Sequence, residues 1–234
     1  AMGAGWMNNL QVPVRDPLDF AGAAYKTCAV VGNSMNMFEA VDGAAIDAHD
    51  AVFRFNREDR RMAHVKNLTL DQIAEYMGRK TTIRFVNRKY TDSLVNGDGA
   101  ASDYKEGETI LFWNLFTAPY LNHIKERYPH VNMYLLSSDL VHWQLNGFSQ
   151  LRKDLYRLGM GPFQCYRFMS SGVHGLLLAM LMCGTIDVYG FSVSLDNFAQ
   201  SFNHGRPSES HSWDFETVLM RLLYFSGAIN VCNA

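Results

Sequence analysis

Cys28-Ala29-Val30-Val31, followed at once by Gly32-Asn33-Ser34, decides how this chain is read. Four apolar residues in a row suit a strand covered on both faces, and a glycine directly after them lets the backbone turn sharply at the strand's carboxyl end. Comparable runs recur at Ala51 to Phe55, Thr82 to Val86, Thr109 to Trp113, Val131 to Leu136 and Ile186 to Phe191. That gives six strands as a minimum, because short edge strands are easily missed. Helical patterns lie between or after them: Pro119 to Arg127, Ser149 to Leu158, Gly172 to Cys183, and Trp213 to Phe225 with an apolar stripe at Val218, Leu222 and Phe225. Alternating strands and helices predict an α/β fold, a Rossmann-like open parallel sheet with helices on both faces. Asn87 to Gly107 and Asp196 to Ser210, rich in Asn, Asp, Gly and Ser, read as irregular loops of the kind that carry sites on such scaffolds.

The chain has 234 residues, 48% of them hydrophobic and 19% charged, enough to bury a sizeable core. No linker, charge block or internal repeat divides it, so residues 1–234 are expected to form one domain. A formal charge of −2 and an isoelectric point near 6.5 argue against nucleic acid or an anionic membrane as partner. The longest apolar stretch, Val173 to Cys183, contains His174 and is too short for a membrane span. The first residues lack the basic and apolar regions of a signal peptide. Cys28, Cys165, Cys183 and Cys232 stand far apart without a CxxC pair, and both free thiols and two disulfides fit that spacing. There is no Asp-x-Asp and no His/Cys/Asp/Glu grouping with metal-ligand spacing.

Four short segments can carry chemistry. The Gly32-Asn33-Ser34 turn offers backbone N–H groups and an amide to a phosphate or ribose, although an ordinary strand-ending turn has the same sequence. Read as Gly32-Asn33-Ser34-Met35-Asn36 it also comes close to a nucleophile elbow, with Asn in place of the final Gly. Asn56, closing Arg54-Phe55-Asn56, can pinch a nucleotide against Asn33 or simply cap its strand in solvent. Ser170-Ser171-Gly172 opens an apolar helix, where it serves either as an anion site or as a plain N-cap. His211 precedes the last helix; at that mouth the helix dipole disfavours imidazolium and keeps the ring able to accept a proton, while a lone surface histidine is the simpler reading. Glu216, five residues on, points about 140° away on a helix and is no same-face partner for His211.

Taken together, these segments resemble the sialylmotifs of the eukaryotic-type sialyltransferase family. Cys28 to Ser34, Ile46-Asp-Ala-His-Asp50 and Phe53-Arg-Phe-Asn56 resemble the large motif, and Lys80 to Asn87 the strand that follows it. Ser170-Ser-Gly172, Leu181-Met-Cys183 and Asp187-Val-Tyr-Gly-Phe191 resemble the small motif, and His211 to Glu216 the very small motif HxxxxE. The matches occur in family order. Met35 stands where the family usually has Gly, and only Asn203-His204-Gly205 is available for the third motif.

The resemblance implies a single domain of the metal-independent GT-A variant type that moves sialic acid from CMP-sialic acid to a glycan hydroxyl with inversion. Asn33 and Asn56, with Gly32 and Ser34 in the same turn, would hold the CMP moiety. Ser170, Ser171 and Gly172 would hold the donor carboxylate region, and His211 would be the general base, with His204 its competitor. Cys28 and Cys183 match the two cysteines the family joins, which implies the oxidising Golgi or secretory lumen, with any membrane anchor lying N-terminal to this stretch. No metal or cofactor beyond the donor is implied. Three other readings are weighed beside this one: a transferase of another CMP-sugar such as CMP-Kdo, a serine hydrolase using Ser34 with Asp187 and His211, and an inactive module that binds a CMP-sugar or glycan.

Overall fold

The computed structural model describes residues 11–15, 24–56, 66–96, 104, 107–163, 169–191 and 211–232. Their eight strands are β1 Val14–Arg15, β2 Tyr25–Val31, β3 Ala51–Phe55, β4 Ile83–Val86, β5 Thr109–Phe112, β6 Asn132–Leu136, β7 Cys183–Tyr189 and β8 Asn230–Val231. All pair in one sheet in the order β1-β6-β5-β4-β3-β2-β7-β8, and every pairing is parallel. From β2 the chain winds outward through β3, β4, β5 and β6, then returns to add β7 on the other side of β2. The winding therefore reverses between β2 and β7, and the crevice beyond their carboxyl ends is where sheets of this type bind ligands.

Seven α-helices flank the described sheet: α1 Gly43–Asp47, α2 Leu70–Met77, α3 Arg88–Asn96, α4 Leu121–Arg127, α5 Ser138–Arg157, α6 Ser171–Met182 and α7 Trp213–Phe225. Successive strand residues point to opposite faces, so each strand feeds two cores. Cys28, Val30, Phe53, Phe55, Phe85, Leu111 and Val188 pack against Leu140 of α5, Leu176 and Ala179 of α6 and Met220 of α7. Ala29, Val31, Val52 and Tyr189 face the other way, onto Ile46, Ile73 and Met77 of α1 and α2, while Ile110, Phe112, Met133 and Leu135 meet α3 and α4. Burial on both sides explains the unbroken apolar runs of the strands. On the first face, α5, α6 and α7 also share a cluster of Phe148, Leu155, Val173, Phe215 and Leu219, which leaves α6 apolar all round.

Cys28 and Cys183 form a disulfide that joins β2 to β7 across 155 residues of sequence. Cys232 is a free thiol and is exposed, and Cys165 lies outside the described residues.

Several boundaries differ from the sequence reading. Cys183 opens β7 instead of closing α6, and β7 ends at Tyr189 because Gly190 takes a left-handed φ of 68°. The stretch read as a loop from Asn87 holds α3, started by the Asn87 side chain, which accepts the Tyr90 N–H at 3.1 Å. α5 begins eleven residues before Ser149, at Ser138. Asp196 to Ser210 lies outside the described residues.

Candidate functional site

A cleft opens at the reversal point. Its floor is the close approach of two chain segments. Gly32 N–H donates to the Tyr189 carbonyl at 2.7 Å and Ser34 N–H to that of Gly190 at 3.1 Å, so the ladder between β2 and β7 runs on past the strands. A methyl group at Gly32 would strike the Gly190 carbonyl and the Phe191 ring, which is why glycine stands there. Phe55 and Phe191, ring centroids 6.1 Å apart in an edge-on arrangement, supply apolar wall.

A corner of amides sits beside that floor. Asn56 continues β3 into a left-handed turn with φ 56°, its N–H bonded to the Phe85 carbonyl at 2.7 Å. Its side-chain oxygen accepts the Asn87 N–H at 3.1 Å, which assigns the opposite end of the amide, Nδ2, as the donor end. The Asn56 carbonyl accepts from Arg84 Nη1 at 2.7 Å, and Arg84 Nε is paired with the carboxylate of Glu108. Arg84 and Glu108 are both buried. The pair neutralises a charge that would otherwise be costly in the interior, and it fixes the backbone on which the Asn56 amide stands.

The opposite wall is the start of α6. Ser170 is its N-cap, the hydroxyl accepting the Val173 N–H at 3.3 Å. Ser171 and Gly172, the first two helical residues, line the cleft where first-turn N–H groups have no intrahelical partner. Glu216 of α7 reaches across to accept the Ser170 N–H at 2.8 Å. Burial pushes the Glu216 carboxyl up to about 7, against the opposing pull of its hydrogen bonds with Ser170. Glu216 is thus a brace between α7 and α6. His211, two residues before α7, lines the cleft with Trp213, their rings edge to face at 5.0 Å.

Gly32, Asn33, Ser34, Asn56, Ser170, Ser171, Gly172 and His211, singled out separately in sequence, all line this one cleft. His204 lies outside the described residues. The plain N-cap reading of Ser170 holds, and Ser171 and Gly172 follow it directly on the cleft wall. Asn87, Phe55, Gly190, Phe191 and Trp213 belong to the lining and were not singled out as site residues. Asn87 carried a signal, since β3 and β4 are each followed by asparagine at the same end of the sheet. Asp187 is committed elsewhere: its carboxylate meets His49 Nε2 at 3.0 Å and accepts from Asn230 Nδ2 at 2.7 Å. That removes it from a hydrolytic arrangement with Ser34 and His211. The Ile46 to Asp50 segment is scaffold, Asp50 accepting the N–H groups of Lys26 and Thr27 at 3.0 Å each. Among the described residues no three His, Cys, Asp or Glu side chains gather as a metal site.

Comparison with known proteins bears on the family and the fold. The profile of glycosyltransferase family 29 (sialyltransferase) matches residues 7–227. Over 188 residues, 73% of this chain, the sequence is 31% identical to β-galactoside α-2,6-sialyltransferase 2 of Danio rerio. Over 221 residues, 94% of this chain, it is 30% identical to sialyltransferase-like protein 5 of Oryza sativa subsp. japonica. The matched stretches make up 32% and 38% of those proteins, so this chain spans about a third of their length. In fold it is similar to the crystal structure of a mammalian sialyltransferase, with a TM-score of 0.54 and 20% identity over 90% of this chain and 70% of that one. A structure of a mammalian sialyltransferase in complex with Galβ1-3GalNAc-ortho-nitrophenol matches equally well.

Proposed function

The chain belongs to glycosyltransferase family 29, the sialyltransferases, and on that premise we propose that it transfers sialic acid from CMP-sialic acid to a glycan hydroxyl. The observation that carries this reading is the convergence of eight residues from four separate sequence segments on one cleft. In it, Asn33 and Asn56 hold the nucleotide, and Ser171 and Gly172 receive an anionic part of the donor. His211 is the general base and His204 its competitor.

In the reaction, the acceptor oxygen gives its proton to a His211 ring nitrogen as its bond to the anomeric carbon forms. The bond from that carbon to the CMP phosphate breaks on the opposite face, which inverts the centre. CMP leaves as a phosphate monoester and needs little acid assistance. The acceptor hydroxyl, a poor nucleophile, needs the base, a contribution of roughly 10²–10⁴ in rate, and positioning supplies the remainder. The reading includes metal independence on the chemistry of the donor: its single phosphate can be held by backbone N–H groups and neutral side-chain donors of the kind that line the cleft.

Residues 1–234 act as a single catalytic domain, a reading supported by the one sheet that joins all described strands. The Cys28–Cys183 bond supports the oxidising lumen of the Golgi or secretory pathway as its place of work. No helix among the described residues is long and apolar enough to cross a membrane. The β-galactoside substrates named for the relatives make galactose-terminated glycans the first acceptors to try. The test is donor hydrolysis and transfer with CMP-sialic acid, CMP-Kdo and a nucleotide sugar lacking CMP, each with and without EDTA. Turnover of CMP-sialic acid that survives EDTA is expected. Exclusive use of CMP-Kdo, or loss with EDTA that Mn²⁺ or Mg²⁺ restores, would overturn the donor or the metal reading respectively. CMP binding without turnover would leave an inactive binding module.

A further inference from the structure

Behind the Ser171 wall lies a stack of side chains that the cleft lining does not include. Trp113, the residue after β5, donates its indole Nε1–H to Ser171 Oγ at 3.2 Å. The indole lies against the imidazole of His174, with centroids 4.3 Å apart and planes 23° apart. His174 is three residues beyond Ser171 on α6, which brings both onto one side of the helix. Gln144 of α5 clamps the imidazole, with Oε1 2.6 Å from Nδ1 and Nε2 donating to the His174 carbonyl at 3.0 Å. An amide oxygen only accepts, so Nδ1 carries the hydrogen. Gln144 and His174 are each 1% exposed. Burial, with a smaller effect from His211, lowers the imidazole pKa to about 3, and the ring is neutral at any working pH.

We propose that Trp113 is a positioning residue for the donor: it occupies one lone pair of Ser171 Oγ and so turns the hydroxyl hydrogen toward an anionic oxygen of the CMP-sugar in the cleft. A serine hydroxyl has one hydrogen and two lone pairs, and with an N–H seated on its acceptor side the remaining hydrogen is both aimed and polarised. Without that bond, a serine in the first turn of a helix is free to rotate and to bond its own backbone. The His174–Gln144 clamp fixes the plane of the indole, so the bond survives side-chain motion. This inference rests on the donor reading above. The anionic oxygen belongs either to the CMP phosphate or to the sugar carboxylate, and two ligands separate them.

The test is calorimetric binding of CMP and of an unreactive, fluorinated CMP-sialic acid to the wild-type chain, Trp113→Phe, Ser171→Ala and the double variant. Trp113→Phe keeps an aromatic ring for the stack and removes the N–H. It should weaken the analogue about five- to tenfold, and the double variant should bind no more than about twofold worse than Ser171→Ala. A loss shared by CMP assigns the contact to the phosphate, and a loss confined to the analogue assigns it to the carboxylate. Unchanged binding by Trp113→Phe, or losses that multiply in the double variant, overturns the role of Trp113 while leaving the donor reading intact. Failure of the wild-type chain to bind either ligand overturns both. Should Trp113→Phe not fold, the Trp113 indole N–H resonance decides: it should shift when the analogue binds and again in Ser171→Ala, and a resonance indifferent to both overturns the proposal.

Discussion

Replacing Glu216 by Gln should remove a loss of stability that otherwise develops as pH rises from about 4.5 to 7, by an amount the structure sets. The Glu216 side chain sits in a nearly dry place with Ser170 as its partner, and burial carries its pKa from 4.5 to about 7. The folded chain therefore binds this proton more tightly than the unfolded chain does. Between pH 4.5 and 7 the folded state holds more protons, so this group's contribution to stability falls as pH rises through that window. At about 1.36 kcal/mol per pH unit, the loss is about 3 kcal/mol by pH 8. Gln keeps the oxygen that accepts the Ser170 N–H but does not ionise. Its stability relative to wild type should improve by about 3 kcal/mol between pH 4 and pH 8, whatever constant offset the amide introduces. His174 works in the other direction. With its pKa lowered from 6.5 to about 3, it contributes stability that is fully present above pH 6.5 and is lost as pH falls toward 3. From pH 4.5 to 6.5 the two slopes oppose each other, and Glu216→Gln should expose the His174 slope of about 1.4 kcal/mol per pH unit. Urea unfolding followed by tryptophan fluorescence at half-unit pH steps measures both effects. Wild-type and variant stability curves that run parallel from pH 4 to 8 would refute the reasoning, because Glu216 would then ionise as it does in water.

His211→Ala should lower transfer about 10²-fold or more with CMP affinity nearly intact; if His204→Ala loses transfer and His211→Ala does not, the base is misassigned. Asn33→Ala and Asn56→Gly should each weaken CMP binding about tenfold, as loss of a neutral hydrogen bond costs roughly 1–1.5 kcal/mol, and calorimetry showing unchanged affinity in both would reduce them to turn residues. Cys28 and Cys183 should resist alkylation in the denatured, unreduced chain. Replacing both by Ala should cost up to about 5 kcal/mol on the loop-closure account, and ready labelling of either thiol counts against the bond.

What the sequence disclosed follows from how locally each element is specified. The six main strands are short and mostly apolar, with their buried residues in near-continuous runs, so their positions are legible in the sequence, whereas the two-residue strands Val14–Arg15 and Asn230–Val231 owe their existence to a neighbour's edge. Helix α2 was missed although its start is written in the chain. Thr69 and Gln72 form a capping box, Ile73 and Met77 make the buried stripe, and Gly78 ends the helix at φ 71°. The first half of α5 is harder to read because Gly147 interrupts its helical pattern. In the fold it faces open space, where a helix tolerates it. The polar composition of 87–96 concealed α3, whose Thr91 and Leu94 are buried. At the site, residues that terminate strands or open helices could be found one by one. Nothing local announced that Glu216 braces Ser170, 46 residues away, or that Glu108 and Arg84 support the Asn56 carbonyl. Such partnerships exist only once the sheet order brings distant segments together.

Asn56 also bears on how freely this family can vary. Its backbone occupies a conformation that costs most L-residues about 1–2 kcal/mol, and which glycine, asparagine and aspartate tolerate best. Of those three, glycine has no side chain to offer, and an ionised aspartate would only accept and would repel a phosphate. On the proposed role of Asn56, folding and ligand recognition filter the same position by unrelated criteria, and asparagine is the residue that meets both. If Asn56 holds the nucleotide as proposed, a homologue with another residue at this position is expected to keep the sheet and bind the nucleotide more weakly.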